Sequence, residues 1–163
     1  MTVIGFDPGT NITGFGIIQK KNRDINYIKS GVVDLRKEKD IQKKLNKIYN
    51  KVIELIKIFS PESIAIEDVF VAKNTKGAIK LGYVKGIIFL ASEHLNLKTY
   101  EYSPTFIKQA ITGYGRATKE DIRRMLPNLI KNFQLNNFPD ATDALAIAYC
   151  HIMNMEFNNK IIQ

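Results

Sequence analysis

The sequence predicts an α/β fold: a mixed five-stranded sheet, three antiparallel strands followed by parallel strands, flanked by helices. Three observations predict it. The first 35 residues hold three apolar runs joined by short polar turns. Residues 40–102 then alternate an amphipathic helix, a short β-branched run, a second helix and a further strand-like run. The length of 163 residues, 45% hydrophobic and 25% charged, suits a single domain over 1–163 with a core of its own.

The elements follow in order. Thr2 to Asp7 is apolar and ends in the turn signal Asp7-Pro8-Gly9-Thr10. Ile12 to Gln19 is the second strand, with Gly14 and Gly16 set beside Phe15 and Ile17. Lys20 to Asp24 is a polar turn, and Ile25 to Leu35 is the third strand. Connections this short imply antiparallel neighbours. From Asp40 to Phe59, Ile41, Leu45, Ile48, Val52, Leu55 and Phe59 step by three and four, so they share one helix face. Ser60-Pro61 stops that helix. Ser63 to Glu67 is a short buried strand, and the right-handed crossover rule sets it parallel to strand one. A second helix is expected over Thr75–Leu95, a fifth strand over Lys98–Tyr102 and a third helix from Ser103-Pro104 to Thr112. After the loop Gly113 to Arg116, Thr118 starts a fourth helix, with Asp121 as its capping partner and Pro127 inside or at its end. Pro139-Asp140 opens a last helix to about Met155.

Composition excludes several classes. No apolar run approaches the ~18–20 residues needed to cross a bilayer. Met1 to Asp7 leads straight into a strand-like segment without a basic start or a cleavage site, so no signal peptide is expected. Cys150 is the only cysteine, so neither an intrachain disulfide nor a cysteine zinc site can form, and a cytoplasmic location is expected. With only His94 and His151, the remaining metal chemistry is that of carboxylates and hard cations.

Net charge is +8, which predicts an acidic partner such as nucleic acid. The excess is uneven: residues 1–71 hold 12 basic and 9 acidic groups, residues 72–131 hold 11 and 4, and residues 132–163 hold 1 and 3. The middle segment is the expected phosphate-binding face, with a set of solvated helix faces as the plain alternative.

Four acids occupy unusual places. Asp7 and Glu67 end two strands expected to be parallel neighbours, so their ends lie about 5 Å apart. Ligand crevices in open α/β sheets lie beyond such ends. Asp140 and Asp143, three apart at a helix start, share a face. Each acid also has a plain structural role, as turn former, strand end, N-cap or partner of the helix dipole. Converging without a cation, however, they would raise one another's pKa values. All-oxygen ligands select Mg²⁺ or Mn²⁺, and two such ions ~4 Å apart serve in-line phosphodiester displacement. An acidic pocket with a basic surround is the layout of a metal-dependent nuclease.

Five strings carry a resemblance: Gly5-Phe6-Asp7-Pro8-Gly9-Thr10 with Thr13 to Gly16; Ala65-Ile66-Glu67-Asp68-Val69-Phe70-Val71-Ala72-Lys73-Asn74; Ala78 to Gly82; Thr112 to Lys119; and Asp140 to Ala148. In this order and over nearly the whole chain, they resemble the RuvC-type Holliday junction resolvases, which are crossover junction endodeoxyribonucleases of the ribonuclease H-like superfamily. The resemblance implies metal-binding acids at Asp7, Glu67, Asp140 and Asp143, with Mg²⁺, for which Mn²⁺ substitutes, at two ions per site. It implies basic groups near the scissile phosphate at Lys108 and Lys119. It implies an aromatic at Phe70 stacking on an unpaired base, with a core phenylalanine as the plain alternative. Lys73, Asn74, Lys76, Lys80 and Arg116 are further expected DNA contacts. The implied activity is paired symmetric nicking of four-way DNA junctions in recombination and repair, leaving 5′-phosphate and 3′-hydroxyl ends. The small residues Ala78, Gly82 and Gly86 at steps of four are expected to form a homodimer interface, with packing on the chain's own sheet as the alternative. Cooperation with a RuvAB-type branch-migration motor is implied, and no membrane partner.

Three other readings stand beside this one. A ribonuclease H-like nuclease for RNA or RNA–DNA hybrids would not call for the Phe70 to Asn74 and Gly113 to Lys119 segments. A non-catalytic junction-binding module would not need all four acids. An actin-like ATPase shares an Asp-x-Gly-Thr start, but 163 residues are too few for its two domains.

Overall fold

A computed structural model describes residues 1–68 and 75–161. The elements are β1 (Thr2–Asp7), β2 (Ile12–Lys21), β3 (Asp24–Asp34), α1 (Ile41–Phe59), β4 (Ser63–Glu67), α2 (Thr75–His94), β5 (Thr99–Tyr102), α3 (Pro104–Thr112), α4 (Lys119–Leu129) and α5 (Pro139–Ile161). The sheet order is β3-β2-β1-β4-β5. β1, β2 and β3 are antiparallel, and β4 and β5 run parallel to β1. This is the mixed sheet the sequence predicts.

Alternation along the strands sorts the core into two layers. Ile4, Phe6, Ile64 and Ile66 point to one face and pack with Ile48, Val52 and Leu55 of α1 and Val84 and Ile88 of α2. Val3, Ala65 and Tyr102 point to the other, where Ile107 of α3, Ile122 and Leu126 of α4, and Leu145 and Ala148 of α5 cover them. A buried histidine locks the second layer. His151 of α5 meets Ser63 Oγ through Nε2 and Tyr102 OH through Nδ1, each at 2.7 Å.

Some boundaries differ from expectation. β2 and β3 reach further toward each other and leave a tight turn in which Asn22 takes φ 55°, a left-handed conformation that asparagine tolerates. α5 continues beyond Met155 to Ile161, because no Gly or Pro interrupts it and Glu156 pairs with Lys20 of β2. Pro127 lies inside α4, near its end, and forgoes one bond to the carbonyl four residues back. The capping box at Thr118 and Asp121 forms as expected, with each side chain taking the other's backbone N–H.

Candidate active site

The site is built from two strand ends and two helix starts. Phe6 and Ile66 are register partners across the parallel β1–β4 pair, so Asp7 and Glu67 each stand one residue past that rung. Both belong to the alternation that faces α5. β4 stops there because Asp68 leaves the ladder after donating its N–H to Tyr102 O at 2.8 Å.

Glycine lets α5 come close enough to bring its acids to those ends. A Cβ on Gly14 would stand 2.0 Å from Asp140 O, and one on Gly5 would stand 2.1 Å from Ala144 O. No side chain fits in either gap, so the first turn and a half of α5 lies directly on β1 and β2. Asp140 and Asp143 are carried in that part of the helix. The sequence displays these glycines, but the reason for them lies about 130 residues away and leaves no local signal.

The electrostatics reflect this crowding. Burial pushes the Asp7 carboxyl up from 3.8 to about 7; Asp143 and Glu67 add to the rise, Lys119 opposes it and Asp140 adds a smaller share. Glu67 is raised above its ordinary 4.5, chiefly by burial, with Asp143 raising it further and Lys119 and Lys108 opposing. Lys119 donates to Asp143 Oδ2 at 2.5 Å, and that bond raises its own pKa. Glu67, Lys108, Lys119 and Asp143 line one cleft, floored by Ile107, Ile122 and Ile147.

The structure therefore brings together Asp7, Glu67, Asp143 and Lys119, with Asp140 and Lys108 at their margin. Arg116 is exposed in the loop before α4, and Lys76 and Lys80 are exposed on α2. Phe70, Lys73 and Asn74 lie outside the described residues. Sequence reasoning missed Lys85 of α2, which pairs with Asp68, the residue after Glu67, and with Glu101 of β5.

The donor set suits a hard cation: carboxylate oxygens, one of them pushed toward neutrality by burial first and by its acidic neighbours second. Among the described residues no three Asp, Glu, His or Cys side chains close tightly enough to hold an ion alone. Mg²⁺ is commonly held by one or two carboxylates plus substrate phosphate rather than by an all-protein cage, so the arrangement fits it.

Comparison with known proteins accords with this geometry. The family described as crossover junction endodeoxyribonuclease RuvC matches residues 3–151. The chain belongs to the RuvC family. A RuvC of Thermosipho melanesiensis is 38% identical over 157 residues, covering 96% of this chain and 100% of that one. A RuvC of Legionella pneumophila is 42% identical over 154 residues, covering 93% and 87%. Among solved structures, T. thermophilus RuvC in complex with Holliday junction substrate superposes with a TM-score of 0.90 at 28% identity, over 97% of this chain and 96% of that one. The RuvC matches cover β1, β4 and the start of α5, where the four acids sit.

Proposed function

We propose that this chain is a structure-specific endonuclease that resolves four-way DNA junctions by paired symmetric nicks, one nuclease domain per chain. The observation that carries the reading is the cleft itself. Asp7, raised to about 7, lies under the influence of Glu67, Asp143 and Asp140, and Lys108 and Lys119 border the same acids. A half-buried acid cluster bordered by a half-buried lysine, Lys108, and an exposed one, Lys119, is arranged for a phosphodiester rather than for a neutral substrate.

Asp7, Glu67, Asp140 and Asp143 would hold Mg²⁺, or Mn²⁺ in its place, at two ions per site. When bound, such ions lower the pKa of a water and neutralise charge on the leaving oxygen. The chain's own groups prepare for this. Burial and its acidic neighbours hold the Asp7 carboxyl up at about 7, and a cation held beside it would favour its ionised form. Lys119 rests on Asp143 and can transfer its N–H bonds to a phosphate oxygen, which offsets charge on both partners in turn. Lys108 approaches Glu67 from α3 and reinforces the positive edge. The expected products carry 5′-phosphate and 3′-hydroxyl ends.

Two sites on one junction need two chains related by a two-fold axis. The candidate interface is α2. Ile79, Tyr83, Phe89 and Leu90 are exposed on it, and a Cβ on Gly82 or Gly86 would meet nothing within 4 Å. A homodimer through this helix covers that apolar surface. Phe70, Lys73 and Asn74, with Lys76, Lys80 and Arg116, are assigned to DNA. A cytoplasmic setting and cooperation with a RuvAB-type branch-migration complex complete the reading.

The test is cleavage of a synthetic four-way junction against a linear duplex of the same sequence, with Mg²⁺ and with chelator. Paired nicks confined to the junction and to Mg²⁺ are expected. Equal cutting of both substrates removes the resolvase reading, and cutting that survives chelation removes the metal.

A further inference from the structure

We propose that Lys85 is a positioning residue for Glu67, acting from the opposite face of the sheet by clamping the ends of β4 and β5 together. Alternation sends Glu67 and Tyr102 toward α5, and sends Ile66, Asp68 and Glu101 toward α2. Glu101 pairs with Ile66 and Tyr102 with Glu67 in the parallel register, so Asp68 lies diagonally across from Glu101 on the same face, one pleat further along and behind the active-site rung. Both are acids, and alone they would push the two strand ends apart. Lys85 reaches between them from α2, at 3.0 Å from Asp68 Oδ1 and in contact with Glu101 Oε1. Its side chain is only 15% exposed, whereas most lysines on this chain are solvated.

The clamp matters because of what ends there. The last ladder bond of β4 is the one Asp68 N–H donates to Tyr102 O. Glu67 is the residue just before it, and no described side-chain hydrogen bond fixes its own carboxylate. Its aim therefore depends on the backbone at Ile66 to Asp68, which Lys85 holds through Asp68 on one side and through β5 on the other. Lys85 also lines the groove on α2 with Gly82 and Gly86, so one residue joins the candidate dimer helix to the candidate metal-binding strand.

This inference rests on the nuclease reading of Glu67, and the experiment separates the two. Lys85→Met, Lys85→Arg and Glu67→Gln are compared with the wild type in three measurements: the Mg²⁺ concentration for half-maximal junction cutting, the rise in melting temperature caused by Mg²⁺ alone, and the oligomeric state by sedimentation. Lys85→Met is expected to raise the half-saturating Mg²⁺ about tenfold, the lower end of what lost support around a metal ligand produces. Its Mg²⁺-induced stabilisation should fall in step, with dimerisation and junction binding retained. Lys85→Arg, which can still bridge two carboxylates, should return both readouts to within about twofold of wild type. An unchanged Mg²⁺ dependence in Lys85→Met overturns the proposal. So does a defect that disappears when the protein concentration is raised, because Lys85 would then act through the dimer. If Lys85→Met does not fold, Glu101→Gln is read in its place, and an unchanged Mg²⁺ dependence there is equally fatal. Full cutting by Glu67→Gln would instead remove the nuclease reading on which the inference stands.

Discussion

Replacing Asp7 with asparagine should stabilise the metal-free protein, and the gain should depend on pH in a defined way. Asp7 titrates at about 7 in the fold and at 3.8 when unfolded. Below 3.8 both states carry the proton and the site costs nothing. Between the two values the unfolded chain releases its proton while the folded chain must keep it, so stability falls as pH rises. The loss is complete above 7, where the interval from 3.8 corresponds to about 4 kcal/mol as an upper value. Asparagine has nearly the same shape and no charge. The Asp7→Asn minus wild-type difference in chelator should therefore be near zero at about pH 4 and reach up to about 4 kcal/mol at about pH 8. For a chain of this size that is a melting-temperature gain of up to about 8–16 °C. Mg²⁺ should narrow the gap by stabilising the wild type more than the variant. Thermal melts across the pH series check this. A variant no more stable than wild type at the alkaline end, or a gain independent of pH, would refute the carboxylate-crowding argument.

Other outcomes follow from the same geometry. Lys119→Ala should lower junction cutting by about 10²–10⁴-fold through lost charge stabilisation, with the fold intact because the side chain is exposed; cutting within about threefold of wild type would count against its role. Gly14→Ala drives a Cβ into Asp140 O from 2.0 Å away, so α5 must shift. A destabilisation of about 1–3 kcal/mol is expected, with a loss of cutting larger than the loss of folded protein, and an unchanged melt would contradict the close approach. His151 is pushed down from 6.5 to about 4 by burial, so its contribution is lost as pH falls from 6.5 through 4, opposite in sign to Asp7. Wild-type stability should be nearly flat across that window, and Asp7→Asn should uncover a rise with pH. Two equally flat curves would show that one of the two assignments is wrong.

Much of the fold was legible in the sequence. The β-branched run Ser63 to Glu67 and the spacing of Ile48, Val52 and Leu55 announce elements that fold where expected. Turn and cap chemistry at Ser103, Thr118 and Pro139 marks helix starts to within a residue. The four acids were legible because charge at a strand end or beside a helix start breaks an apolar pattern. The Lys85 clamp was not. Its partners come from α2, β4 and β5, and each looks like an ordinary surface charge in its own segment. The far end of α5 was missed for a related reason: its support is Lys20, a residue of another element. Local pattern reports what a residue needs from its neighbours in the chain, and these residues are held by neighbours in space.

The most direct test of the account compares junction binding with junction cutting in Glu67→Gln and Asp143→Asn. If the carboxylates serve chemistry and the lysines serve phosphate, both variants should bind a four-way junction at least as tightly as wild type, since each removes a charge that repels DNA, while cutting falls by at least about 10³-fold. Binding that collapses together with cutting would contradict the account and make the acids structural.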